Sequence, residues 1–157
     1  MSASPSLPSG TAPENTDSLR ERLNKTTAAY SRFVPREFLH LLGIDDIRKV
    51  ELGQQVERKM TILFCDIRNF TALSETMSPQ ENFNFLNSYL VQMEPVIAGH
   101  GGFIDKYIGD AIMALFPGSP DEALRCSQSM LRQLEHYNDG RQRAGYRPIR
   151  IGIGINT

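Results

Sequence analysis

The chain has 157 residues, 40% of them hydrophobic and 22% charged, the balance of an ordinary globular domain, which excludes a wholly disordered or collagen-like chain. Lys and Arg number 17 against 18 Asp and Glu, a formal charge of -1, so no global basic field calls for a nucleic-acid partner. No apolar run is long enough to span a bilayer, the N-terminus lacks the basic and apolar regions of a secretory signal, and two cysteines make neither a disulfide framework nor a zinc site. A reducing cytoplasmic setting with no membrane contact from this segment is the default expectation.

Residues 1–17 are Ser, Pro, Thr, Gly and Asn with almost nothing to bury, the composition of a disordered tail or linker. From Ser18 to Leu42 the pattern is helical, with Leu19, Leu23, Tyr30, Phe33, Phe38 and Leu42 as candidate packing residues. Pro35 interrupts it, and Val34-Pro35-Arg36-Glu37 reads as a helix restart with Pro at the first position. Gly43 to Arg58 is polar and charged, a connector, so residues 18–58 form a helical lead-in ahead of a core at 59–157.

Met60-Thr61-Ile62-Leu63-Phe64-Cys65 is a nearly continuous apolar run ending at Asp66, which predicts a central strand. Ser78-Pro79-Gln80-Glu81 carries a cap, a first-position Pro and a Glu at N3, and predicts a helix start. Phe83, Leu86, Leu90, Met93 and Val96-Ile97 follow at helical spacing until Gly99, His100, Gly101 and Gly102 end the helix. Two strands, 102–108 and 111–116, flank Gly109-Asp110 and predict a hairpin. Asp121 to Tyr137 reads as a second helix with Ala123, Leu124, Ser127, Met130, Leu131 and Leu134 on one side, ending near Asn138-Asp139-Gly140. Ile149, Ile151, Ile153 and Ile155 alternate as a half-buried strand in which Gly152 and Gly154 would let a helix or ligand approach closely.

The order β-α-β-β-α-β predicts an α+β, ferredoxin-like core whose first two strands are parallel, with the third antiparallel between or beside them. One sheet edge would then carry the end of the first strand and the hairpin turn, bringing Asp66 and Asp110 together. Thr157 follows a strand directly, so the core is expected to be C-terminally incomplete, its sheet awaiting further strands.

Two neighbouring carboxylates can share divalent cations, and the backbone N–H groups of a strand-to-helix turn can cradle phosphate, so the edge suits phosphoryl or nucleotidyl chemistry. Either aspartate alone is more simply a turn former or a helix cap. Arg68 reads as solvated or as a modest triphosphate contact, and His100 as a helix C-terminal cap rather than a metal ligand, since no second His or Cys gives it metal spacing.

Phe64-Cys65-Asp66-Ile67-Arg68-Asn69-Phe70-Thr71 and Asp105-Lys106-Tyr107-Ile108-Gly109-Asp110-Ala111-Ile112-Met113-Ala114 resemble the catalytic domain of class III nucleotidyl cyclases, the adenylate and guanylate cyclases. Phe33-Val34-Pro35-Arg36-Glu37-Phe38 resembles the segment preceding that domain in bacterial multidomain cyclases, and residues 151–157 resemble its fourth strand. The resemblance implies the nucleotide cyclase fold and two Mg²⁺ ions, for which Mn²⁺ can substitute, held by Asp66, Asp110 and the carbonyl of Ile67. It also implies a phosphate-holding turn at Ile67, Arg68, Asn69, Phe70 and Thr71. Lys106 matches the purine-reading position, where an ammonium donates to adenine N1 while guanine N1, itself a donor, would be mispaired.

The implied function is therefore an adenylate cyclase, converting ATP to 3',5'-cyclic AMP and pyrophosphate by two-metal catalysis in a head-to-tail homodimer, with room for an upstream sensor domain. The family's transition-state Asn and Arg and its second purine-selecting residue lie beyond the fourth strand, so the isolated 157 residues are expected to be inactive. The alternatives are a nucleotide-binding or dimerisation regulatory module without turnover, or a guanylate cyclase. A diguanylate cyclase would carry Gly-Gly-Asp/Glu-Glu-Phe at the hairpin, where this chain has Ile108-Gly109-Asp110-Ala111-Ile112.

Overall fold

The structure, a computed structural model, describes residues 16–30, 36–51, 53 and 55–157. It divides into two compact units, Met1–Arg36 and Glu37–Thr157. In the first, α1 (Thr16–Tyr30) begins inside the segment assigned to the tail, and its Leu19 and Leu23, expected to pack, stay about half exposed. The remainder of the expected tail, together with Phe33 and Pro35, lies outside the described residues.

The short helix α2 (Arg36–Leu41) and a 3-10 turn at Ile47–Lys49 lead, in the second unit, to β1 (Thr61–Ile67), α3 (Phe70–Ser74), α4 (Pro79–Gly99), β2 (Phe103–Ile108), β3 (Ala111–Phe116), α5 (Pro120–Arg143) and β4 (Ile151–Asn156). The sheet order is β2-β3-β1-β4 with every neighbouring pair antiparallel, so β1 and β2 run parallel with β3 between them. This is the ferredoxin-like core expected from the element order.

The alternation of β1 sets the two faces. Leu63, Cys65 and Ile67 are buried under the helices with Ile112, Ala114 and Phe116 of β3, while Phe64 and Asp66 point to the other face, which α4 and α5 leave uncovered. At α4 the predicted capping box is present: Ser78 Oγ accepts from Glu81 N–H and Glu81 Oε2 accepts from Ser78 N–H at 2.7 Å. The helix ends as predicted. Gly101 takes a φ of 76°, Gly102 N–H donates to Ile97 O and Gly101 N–H to Ala98 O, the Schellman pattern. Gly102 is also needed for space, since a Cβ there would lie 2.4 Å from the Phe116 ring.

The buried stripe of α4 is rotated from the one expected. Phe85, Tyr89, Met93 and Ile97 form it at strict four-residue spacing, Leu86, Leu90 and Val96 flank it, and Phe83 is 62% exposed. Tyr89 can lie at the centre because its hydroxyl meets Cys65 Sγ at 3.3 Å, a polar partner inside the core. On α5 the buried residues are Ala123, Cys126, Ser127, Met130, Leu134 and Arg141, while Leu124 and Leu131 are exposed.

The helix also overruns Gly140 to Arg143, where a stop was expected. Arg141 explains the extension: its guanidinium lies 4.6 Å from the Phe85 ring centroid and 5.4 Å from that of Tyr146, and its Nε donates to Arg147 O at 2.9 Å. His100 behaves as the expected cap, its Nδ1 2.8 Å from Val96 O and its Nε2 3.2 Å from Ser129 Oγ. If the stripe is assigned correctly, Met93→Ala will cost about 2–5 kcal/mol by cavity formation. Phe83→Ala will stay within about 0.5 kcal/mol of wild type, both measured by urea unfolding.

Candidate active site

Three pieces of backbone meet at one edge of the sheet: the end of β1, the β2–β3 turn and the start of β4. The turn is a two-residue hairpin, since Ile108 pairs with Ala111, and of its central residues only Gly109 takes a positive φ, 63°. That is the pattern of a type II′ turn, which needs a glycine first. It leaves Asp110 facing β1, where Asp110 Oδ2 accepts the Ile67 N–H at 3.0 Å. The hairpin aspartate is therefore fastened to the residue next to Asp66, 43 positions away in sequence. Asp66, expected to end its strand, is the last residue but one, because the strand runs on to Ile67.

Beyond Ile67 the chain turns sharply. Arg68 N–H donates to Arg150 O at 2.8 Å, continuing the β1–β4 ladder by one bond. Asn69 then takes a φ of 60°, the single positive φ of a non-glycine residue among those described; Asn tolerates this conformation better than most residues. From there α3 begins, a short helix that the sequence pattern did not reveal, and Leu73 N–H closes its first turn on Asn69 O. Phe70 anchors the turn by stacking on Phe85 at 6.5 Å, so its ring serves packing and only its backbone faces the edge chemistry. Thr71 is exposed and its carbonyl accepts from Glu75 N–H and Ser74 Oγ.

Asp66 is half exposed, with Arg68 Nη1 3.6 Å from its Oδ1. Among the described residues no group of three or more His, Cys, Asp or Glu side chains could hold a metal ion. Two carboxylates at one edge still fit Mg²⁺, which is commonly held by one or two carboxylates together with substrate phosphates. Asp110 Oδ2 is occupied by a backbone donor, but each carboxylate oxygen has a second lone pair and each carboxylate a second oxygen.

A family pattern described as the adenylate and guanylate cyclase catalytic domain matches residues 52–157. The chain belongs to this family. It is 47% identical over 140 residues to an adenylate cyclase of Anabaena cylindrica, across 86% of the chain and 28% of that protein. It is 37% identical over 165 aligned residues to the terminal-differentiation specific adenylate cyclase of Dictyostelium discoideum, across 98% of the chain and 8% of that protein. The solved structure of the guanylyl cyclase Cya2 superposes with a TM-score of 0.58 at 40% identity, over 64% of this chain and 54% of that one. The chain thus spans less than a third of the length of these two curated relatives.

Within this cyclase domain the purine-reading candidate stands apart from the aspartates. Lys106 is paired in register with Met113, which opposes Phe64, so it shares the uncovered face with Asp66 but sits two strands away, roughly 10 Å across the sheet. A bulge between Ile104 and Lys106 interrupts the register, and Lys106 Nζ lies 3.2 Å from Asp105 Oδ2. The glycines of β4 part company: Gly152 is closely approached by the Arg68 guanidinium, while Gly154 has open space. Arg68 contacting Gly152 was not legible in the sequence, although the alternation of Ile and Gly marked the strand as one that something approaches.

Directly behind Asp66, Cys65 is fully buried, and burial pushes its thiol up to about 11 despite the partly opposing hydrogen bond with Tyr89. Tyr89 is raised too, again chiefly by burial. A raised thiol pKa means the folded state holds the proton more tightly than the unfolded state. The resulting stability is complete below the ordinary thiol range and is lost as pH climbs toward 11. Unfolding free energy is expected to fall by about 2–3 kcal/mol between neutral pH and pH 11 on account of this thiol, and Cys65→Ala should flatten that part of the profile in denaturant titrations.

Proposed function

We propose that this domain is an adenylate cyclase, forming 3',5'-cyclic AMP and pyrophosphate from ATP. The observation that supports the reading is the 3.0 Å bond from Ile67 N–H to Asp110 Oδ2, which ties the hairpin carboxylate to the residue following Asp66. The ribose 3'-oxygen bonds to the α-phosphorus while the bond from that phosphorus to the bridging oxygen of pyrophosphate breaks. The entering hydroxyl loses its proton and the leaving group takes the electron pair.

Asp66, Asp110 and the Ile67 carbonyl would hold two Mg²⁺ ions. When bound, these supply positive charge for the developing alkoxide and for the triphosphate. Because Ile67 and Arg68 N–H already donate to Asp110 Oδ2 and Arg150 O, the turn would offer phosphate oxygens the backbone donors of Asn69, Phe70 and Thr71, with the Arg68 and Asn69 side chains on its exposed side. Lys106 is the purine reader, its ammonium donating to adenine N1, which favours ATP over GTP.

The roughly 10 Å between Lys106 and Asp66 across the sheet supports a head-to-tail homodimer in which the aspartates of one subunit work with the purine reader of the other. So does the uncovered face itself, where Phe64 remains 43% exposed beside the half-buried Met113 and Leu115. Free Cys65 and Cys126 suit a reducing cytoplasm. Among the described residues no helix is long and apolar enough to cross a membrane.

Calorimetric titration with a non-hydrolysable ATP analogue tests the reading. Mg²⁺ or Mn²⁺ is expected to tighten binding, and Asp66→Asn or Asp110→Asn to weaken the metal-dependent part by about ten-fold or more; binding indifferent to metal in wild type would refute the site. For purine choice, Lys106→Glu should lower affinity for the ATP analogue more than for the GTP analogue. An equal loss with both would make Lys106 a structural residue.

A further inference from the structure

We propose that Arg68 is a resident counter-ion for Asp66, seated on the bare backbone of Gly152, and that a divalent cation must displace it before Asp66 becomes a ligand. This deepens the metal-site reading above and rests on it. Three observations meet. Arg68 Nη1 lies 3.6 Å from Asp66 Oδ1, with the two side chains 57% and 51% exposed. Asp66 and Gly152 are directly paired across β1 and β4, so they stand side by side on the same face. A Cβ placed on Gly152 would fall 1.9 Å from Arg68 Nη2 and 2.1 Å from its Cζ.

The last observation defines a seat. Arg68 is two residues after Asp66, and its N–H is tied to Arg150 O, so its main chain continues the β1–β4 ladder and its side chain folds back across the neighbouring strand. The guanidinium that meets Asp66 lies where any other residue at 152 would put its side chain. The contrast two residues along is direct, because Gly154 lies on the same strand and face and has nothing within 4 Å of its Cβ position.

Electrostatics supplies the reason for such a seat. Asp66 and Asp110 share an edge, and Asp110 is already satisfied in part by a backbone donor. Asp66 takes its compensation from Arg68 instead. Because both partners are solvated, the pair is weak, worth no more than about a factor of five in an equilibrium constant. A weak pair can be exchanged for a divalent cation, whereas a buried, bidentate one would keep the cation out. Once displaced, the guanidinium stays on the exposed side of the turn, free to meet the phosphates of an incoming nucleotide, for which its geometry is suited.

The test is Mn²⁺ binding without nucleotide, followed by electron paramagnetic resonance of the free ion in the full 157-residue chain. Arg68→Gln and Gly152→Ala should each bind Mn²⁺ about two- to five-fold tighter than wild type, the second because its methyl unseats Arg68. The double variant should be no tighter than either single one, the mark of a shared mechanism. Gly154→Ala, adding the same methyl to the same strand face, should match wild type.

Wild-type affinity in both Arg68→Gln and Gly152→Ala, with binding still abolished by Asp66→Asn, would overturn the counter-ion role and leave the metal site standing. Equal tightening by Gly154→Ala would overturn the seat. If no protein in the series shows Asp66→Asn-sensitive Mn²⁺ binding, the metal-site reading falls and the counter-ion with it. Cooperative thermal melting by circular dichroism confirms folding, and Arg68→Gln decides alone if Gly152→Ala does not fold.

Discussion

The hydrogen bond from Ile67 N–H to Asp110 Oδ2 carries the β1–β3 pairing, whose last partners are Cys65 and Ile112, on to the tip of the hairpin. A two-residue hairpin is free to swing unless its tip is held, and here the tip is held by a carboxylate on a backbone donor, a charge-assisted bond. The cost is that two aspartates come to one edge with their charges only partly offset. That cost is met from below: Leu63, Cys65, Ile112, Ala114 and Phe116 beneath the edge are fully buried, and Ile67 nearly so. Their packing fixes the strands whatever the carboxylates prefer.

The sheet therefore has two unequal faces. One is sealed by α4 and α5, whose side chains bridge at Gln92 with Gln133, and at Ser88 with Tyr137. The other carries Asp66, Phe64, Met113, Lys106 and the glycines of β4. Charged and apolar groups stand together there, an arrangement suited to a surface that meets a ligand and a second polypeptide. At its far end Phe38 of α2 meets Phe103 edge-on at 5.2 Å, so this part of the lead-in packs on the sheet and is part of the same unit.

Much of this was legible because it rests on local rules. The capping box at Ser78, the glycine stop after α4, the Gly109 hairpin and the β-α-β-β-α-β order each follow from spacing and backbone preference, and the order alone implied that the end of β1 and the hairpin turn would share one edge. What escaped depends on partners distant in sequence. Phe83 and Phe85 are equally apolar, and only the position of the sheet decides which is buried. The short helix α3 is held by Phe70 stacking on Phe85, not by its own propensity, since five residues are far too few to sustain a helix alone. Leu19 and Leu23 have helical spacing and still stay about half exposed.

The overrun of α5 past Gly140 shows how such a distant partner reaches the site. A glycine inside a helix costs about 1 kcal/mol relative to alanine, but continuing the helix carries Arg141 to the rings of Phe85, Tyr137 and Tyr146 and to the carbonyl of Arg147. One turn earlier, Asn138 accepts from Ile149 N–H at 2.8 Å and donates to Ile149 O at 2.9 Å, standing in for a neighbouring strand just before β4 begins. These contacts fix where β4 enters the sheet, and entry fixes register. With side chains alternating between faces, a slip of one residue would set Ile151 or Ile153 beside Asp66 in place of Gly152. The edge that holds the carboxylates is thus set from the far end of a helix that never touches them.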